Sequence, residues 1–290
     1  MRKFMSDRVM MIASMIIFGT ISIFVRSVSV SSGELALYRA VLAALLVFVF
    51  LIISGQRLSF RGLKKEIPLL LLSGMAMGIN WILLFEAYKH TTVSVATLSY
   101  YFAPVIVTVL SPLLFKERLT PKQILCFVMS TVGLVMITGI GTGGGNDPVG
   151  ILFGLGAATF YAAVILLNKF IKNVEGIHRT FLQFLSAIVI LLPYVLLTGG
   201  FTLASLDGIG WVNLLVVGIL HTGVTYCMYF SSLKELSGQK AAILSYIDPL
   251  VAVLISVTLL GESMTPWQIV GGVLILGFTL WNEITPRAKR

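Results

Sequence analysis

The residue with the most chemical potential in this chain is Asp248. It lies inside an apolar run, 239–260, and is followed at once by Pro249. A carboxylate at that depth in hydrocarbon costs at least about 2.5–3.5 kcal/mol. It is therefore expected to line a polar cavity, or to be held neutral or hydrogen-bonded against a neighbouring helix. Tyr246, two residues earlier, and Tyr100 and Tyr101 in the run 93–115 add aromatic faces and hydroxyls at similar depth. Such rings attract amphipathic or cationic molecules, and they serve equally well as core. Grouped with Asp248, they favour a substrate that carries an amine. Asn80, Trp81 and His221 are polar side chains within other apolar runs. Each either lines the same cavity or bridges two helices, and His221 has the further capacity to titrate near neutral pH.

Other groups have plainer roles. Glu117 and Glu262 each precede a Thr-Pro pair at a run's end. Threonine there caps the next helix, proline suits its first turn, and a carboxylate near a helix N-terminus is favoured by the dipole. Both glutamates are expected to be structural. Pro104 and Pro249 each remove a backbone donor and are expected to soften their helices. Glu86 beside Lys89 and His90 reads as an interfacial ion pair. Arg39, early in the run 34–54, is expected to snorkel outward or to pair with Glu34. The three histidines, His90, His178 and His221, are too dispersed for a metal site. No His-Glu-x-x-His, Gly-x-Ser-x-Gly or Walker loop is present, and Gly154-x-Gly156 follows no strand. No catalytic residue, metal or cofactor is expected.

The elements that must position these residues follow from composition. Of 290 residues, 57% are hydrophobic and 11% charged, with a mean hydropathy of +0.98. A soluble domain carries roughly 25% charged residues, so the surface here must meet lipid. Ten runs reach the roughly 20 residues that span a bilayer as helix: about 9–29, 34–54, 67–88, 93–115, 121–140, 148–168, 178–199, 208–230, 239–260 and 265–283. Unbroken runs lack the alternation of a membrane barrel, so the class is an all-α membrane protein. The basic N-terminus and first run read as a spanning helix and not as a cleaved signal, since no small-residue cleavage site follows.

A net charge of +9 raises the question of nucleic acid, but the basic residues sit in short loops and gather on no face. With both termini in the cytoplasm, 18 of the 21 lysines and arginines fall on the inner side, as the positive-inside bias requires. Cys126 and Cys227 lie in apolar runs and read as free thiols.

Sliding the chain by 145 residues lays its third to fifth runs on its eighth to tenth. Tyr101, Pro104, Leu114, Glu117, Thr120, Pro121, Gln123 and Ile124 meet Tyr246, Pro249, Leu259, Glu262, Thr265, Pro266, Gln268 and Ile269. This is an internal repeat: one copy over 1–142, a Gly-rich linker at 143–147 and a second copy over 148–290. Five spans per copy put the second into the membrane upside down. Inverted repeats offer two arrangements of similar energy around a mid-depth site, the requirement of a carrier.

The stretch Phe85–Ile124 and its partner, with Tyr101-x-x-Pro104, Leu114-x-x-Glu117-x-x-Thr120-Pro121 and their equivalents, resemble the EamA family of the drug/metabolite transporter superfamily over nearly the whole chain. The resemblance implies a basket of ten helices. Its cavity would be lined by helices 1, 3, 4, 6, 8 and 9, with helices 5 and 10 at the periphery. It also implies a secondary transporter in the cell membrane that exports a small metabolite such as an amino acid or amine. Asp248 or His221 would be the proton-coupling group if a proton gradient drives it, and a gradient-independent exchanger would need neither. The implied partners are a small-molecule substrate and the lipid bilayer, not nucleic acid. Substrate identity and oligomeric state are not specified by these motifs.

Overall fold

Helix starts in this chain are written in short polar residues and prolines. Ser31 accepts the Glu34 N–H at 3.1 Å, Thr92 the Val95 N–H at 3.2 Å and Asp207 the Gly210 N–H at 2.7 Å. Each satisfies one of the four donors that a helix N-terminus leaves free. The repeated Thr-Pro-x-Gln forms a reciprocal capping box at both copies. Thr120 N–H donates to Gln123 Oε1 at 2.8 Å and Gln123 N–H to Thr120 Oγ1 at 3.2 Å; Thr265 and Gln268 do the same at 2.8 and 3.3 Å.

The structure is a computed structural model that describes residues 6–55, 63–115, 118–138, 148–174, 176–233, 236 and 238–284. Among these, every regular element is helical. We number them α1 (Asp7–Arg26, interrupted at Thr20), α2 (Ser32–Ile53), α3 (Leu63–His90), α4 (Val93–Tyr100 and Ala103–Phe115) and α5 (Pro121–Thr138). The series continues with α6 (Pro148–Asn168), α7 (Gly176–Thr198), α8 (Gly208–Leu233), α9 (Gly238–Ser245 and Ile247–Thr258) and α10 (Pro266–Ile284). Eight are long and apolar enough to cross a membrane; α5 and α9 are shorter apolar helices. The linker 143–147 and Glu117 lie outside the described residues.

Large apolar side chains point outward along the bundle. Leu197 is 86% exposed and Ile53 81%, which is tolerable only where the surrounding medium is itself apolar. Inside, α3 packs on α6 and α7, α2 on α7 and α8, α8 on α1, α4 on α6, and α9 on α1. Advancing any of these pairs by five helices yields another pair of the same set. The α5–α10 pair maps onto itself and stands apart from the central cluster. There Gly133 and Gly271 face each other so closely that a Cβ on either would lie 2.6 or 2.5 Å from the other's carbonyl oxygen. Gly277 has no atom of the described residues within 4 Å of its Cβ position.

Candidate functional site

Two helices break at equivalent positions. In α4 the first piece ends at Tyr100 and the second begins at Ala103; in α9 the break is a single residue, Tyr246. Tyr101 and Tyr246 are 145 residues apart, the offset of the repeat. Both adopt nearly the same backbone angles, φ −71°, ψ 5° and φ −73°, ψ −7°. The cause lies three residues on, in Pro104 and Pro249. Neither has an N–H for the carbonyl four residues back, so the preceding turn tightens or opens and a new helix starts, with proline in its first turn. The sequence placed Asp248 near the middle of a continuous helix. The break instead puts it in the first turn of a new helical piece, where the positive end of the half-helix supports a carboxylate.

Asp248 accepts a 2.6 Å hydrogen bond from Tyr101 Oη on Oδ2, and among the described residues Oδ1 meets no donor. Around it stand tyrosines from three further faces. The Tyr100 ring lies 5.7 Å from that of Tyr101 and 5.2 Å from that of Tyr161 on α6. Tyr226 on α8 stacks edge-on against Phe184 and Phe18 at 5.4 and 5.3 Å. Tyr88, Tyr100 and Tyr226 lie within electrostatic reach of both Asp248 and Arg39.

Arg39 neither snorkels nor pairs with Glu34. It is buried at 5% exposure and points into the bundle. Its Nε donates to Thr222 Oγ1 at 2.6 Å, and its guanidinium lies 4.3 Å from the centre of the Trp81 ring. Glu34 is occupied elsewhere, accepting from the Thr202 N–H at 2.8 Å and from the Thr202 and Tyr38 hydroxyls. Thr222 is presented by a π-helical stretch of α8, Val216–Val224; its hydroxyl, and that of Thr225 just beyond, donate to carbonyls five residues back. Such widened turns are frequent at functional sites.

The remaining sequence candidates separate into two groups. Trp81 floors the arginine. Asn80 is turned away and donates to the Ala157 carbonyl at 2.7 Å, tying α3 to α6. His221 is fully buried, with Nε2 2.9 Å from Thr20 Oγ1 and Nδ1 3.1 Å from the Val216 carbonyl, so it bridges α8 to the break in α1. The Tyr246 ring is 6.5 Å from Tyr101. Its hydroxyl is buried beside Thr279 of α10 without a well-formed hydrogen bond. The structure therefore brings together Asp248, Tyr100 and Tyr101, and sets Trp81 beside Arg39. Sequence reasoning had not singled out Arg39, Tyr161 or Tyr226 for this pocket. The repeat offset carried one signal, because it sets Tyr226 on Trp81.

The two ends of the bundle differ. At one, Arg26 Nη1 binds Glu262 Oε1 at 2.5 Å, while Nε and Nη2 donate to the Tyr88 and Thr91 carbonyls at 3.0 and 2.8 Å. Glu262 Oε2 accepts the Val93 N–H at 2.7 Å and the Ser256 hydroxyl, and Ser94 donates to Ser256 Oγ at 2.7 Å. Glu262 is thus a cap, but of α4 and not of the helix that follows it. Glu86 forms the ion pair expected with Lys89, at 3.2 Å. At the other end a vestibule of about 720 Å³ opens among Asn168, Lys169, Lys172, Arg179 and Phe230 and reaches Cys227. The Phe230 ring lies 6.1 Å from Tyr226 of the central pocket.

The sequence profile of the EamA-like transporter family matches the chain twice, over residues 8–139 and 148–282. The chain belongs to the EamA-like transporter family. Among its relatives is the "Uncharacterized transporter YxxF" of Bacillus subtilis, 31% identical over 91% of this chain and 85% of that one. An "Uncharacterized transporter" of Archaeoglobus fulgidus is 29% identical over 94% and 95%. A "Probable amino-acid metabolite efflux pump" of Salmonella typhimurium is 26% identical over 78% and 81%. One solved crystal structure shares the fold at a TM-score of 0.66 and 16% identity, covering 96% of this chain and 97% of its own. With its apolar helices, this family membership makes the chain a multi-pass protein of the cell membrane.

Proposed function

We propose that this family member is a secondary carrier of ten spans, arranged as two inverted five-helix repeats with both termini in the cytoplasm. It moves a small metabolite, an amino acid, amine or related compound, outward by alternating access. The observation that carries the reading is a cluster of charged and aromatic side chains in mid-bundle, with the bundle tied shut at one end and opened by a vestibule at the other. The distribution of basic residues makes the vestibule end cytoplasmic, and the arrangement then corresponds to an inward-open carrier. The paired profile matches and the five-helix equivalence of neighbours support the repeat. Export rests on the name of the Salmonella relative. No enzymatic step and no nucleic-acid contact form part of this reading.

The test is counterflow in proteoliposomes preloaded with amino acids or amines, with and without a pH gradient. Protein-dependent exchange supports the carrier. A gradient-driven component that disappears in Asp248→Asn assigns proton coupling to that carboxylate, and equal exchange without a gradient makes the protein a facilitator. Orientation is read in cells from single cysteines at Gly208 and Lys169 in a background lacking Cys126 and Cys227. An impermeant thiol reagent should reach only the first, and labelling of both from outside would overturn the topology.

A further inference from the structure

The vestibule has a charge pattern that carriage alone does not require. Lys169, Lys172, His178 and Arg179 all line it, and among the described residues no carboxylate does. Two of the cations are held in place. Lys169 Nζ rests 4.4 Å from the centre of the Phe115 ring, and Arg179 Nη1 donates to the Asn168 carbonyl at 3.3 Å. Neither lysine forms an ion pair among the described residues. Glu66, the carboxylate that touches this loop, accepts instead from the Lys172 and Asn173 N–H groups at 2.8 and 3.0 Å and from Asn173 Nδ2 at 3.0 Å. It holds the loop and not the lysine heads. Asn168 Oδ1 is occupied by Gln183 Nε2 at 2.8 Å and the Ser73 hydroxyl at 3.4 Å, so what remains of that carboxamide is its donor.

The positive-inside bias accounts for basic residues in cytoplasmic loops, but it does not make them converge on one cavity. Helix stability does not call for them either. His178 and Arg179 stand in the first turn of α7, where the helix dipole disfavours a cation. Nor does the sequence around the vestibule restore neutrality. The segments assigned to the cytoplasm carry 18 basic residues against six acidic ones, Asp7, Glu66, Glu117, Glu175, Glu235 and Glu283.

We infer that the vestibule is an anion-binding antechamber, which takes a small solute bearing a carboxylate or phosphate and turns away simple amines. Like charges gathered in one recess focus a potential that concentrates counter-ions and repels cations. The lysine and arginine heads and the Asn168 donor supply charge-assisted and neutral hydrogen bonds to an anionic oxygen. An ammonium ion meets like charge in the same place. That the bound anion is also the transported solute rests on the carrier reading; that the vestibule binds it does not.

Cys227 lies on the vestibule wall and can report the local potential. In the full chain with Cys126→Ala, purified in uncharged detergent, its modification by the anionic sulfonatoethyl methanethiosulfonate is timed against that by the cationic trimethylammonium-ethyl analogue. Each rate is normalised to the reagent's rate with free mercaptoethanol. Ser231→Cys, in a background lacking both native cysteines, repeats the measurement at a half-buried point of the same wall. The anionic reagent should be favoured by on the order of 10-fold at low ionic strength. The preference should collapse at about 1 M salt, where charges are screened within about 3 Å. Lys169→Gln with Lys172→Gln, and separately Arg179→Gln, should lower it, while Arg179→Lys retains it; monodisperse elution verifies folding. Succinate or inorganic phosphate should slow modification, and putrescine should not. Nanodiscs of phosphatidylcholine with and without phosphatidylglycerol separate the two sources of anion. Protection by the anionic lipid alone, with succinate and phosphate inert, would overturn the solute assignment. Equal rates for the two reagents at both positions, or a preference unmoved by salt and substitution, would overturn the antechamber. Counterflow of simple amines alongside equal rates would leave the carrier standing without it. Preference and protection without any counterflow would uphold the antechamber and remove the carrier reading.

Discussion

The broken helices α4 and α9 carry the same mechanical device and different chemistry. Each breaks at a tyrosine and restarts one or two residues before its proline. Yet residue 103 is alanine where residue 248 is aspartate. Ala103 is fully buried and packs with Ala158 and Ala162 of α6; Asp248 faces the tyrosine cage. The paired tyrosines diverge as well. Tyr101 orients the carboxylate, while Tyr246 turns toward α10. Repetition supplies a pair of matched hinges, and the departures from it supply the binding groups.

Four substitutions break or sharpen this contrast. The largest effect is expected from Ala103→Asp, which would place a carboxylate where alanines close the space. Destabilisation should exceed about 3 kcal/mol, seen as loss of folded protein on size-exclusion chromatography. Asp248→Asn should leave expression and elution near wild type and lower counterflow by on the order of 100-fold. Normal flux there would reassign Asp248 to packing. Tyr101→Phe removes a hydrogen bond to a charged group, worth about 1.5–3 kcal/mol, and should weaken amino-acid binding roughly tenfold or more. Its repeat partner Tyr246→Phe removes a hydroxyl without a well-formed bond and should change binding by less than about twofold. Equal effects at the two tyrosines would erase the distinction drawn here.

Position along the chain was far more legible than direction around a helix. The described helices begin and end within about four residues of the runs read from hydropathy, because length and capping residues are local properties. The capping boxes at Thr120 and Thr265 were equally local and were read as caps. Arg39 was not legible as a pocket residue. An arginine near the end of an apolar run is compatible with outward snorkelling, and only the packing of α2 against α8 shows that Thr222 and Trp81 hold it inward. Glu262 posed the same difficulty. Its sequence neighbours suggested the following helix, and its partners, Arg26 and the Val93 N–H, come from the other half of the chain. Asn80 and Tyr100 looked alike as mid-run polar groups until their azimuths sent one to a backbone carbonyl and the other to the cage.

The Arg26–Glu262 closure has a corollary for the turn beside it. Apart from Ser256, what these two side chains grip outside each other is main chain: the carbonyls of Tyr88 and Thr91 and the N–H of Val93. Those atoms are supplied by almost any amino acid. The lock itself therefore makes little demand on the side chains of the turn joining α3 to α4; what constrains that turn is the Thr92 cap and the burial of Thr91.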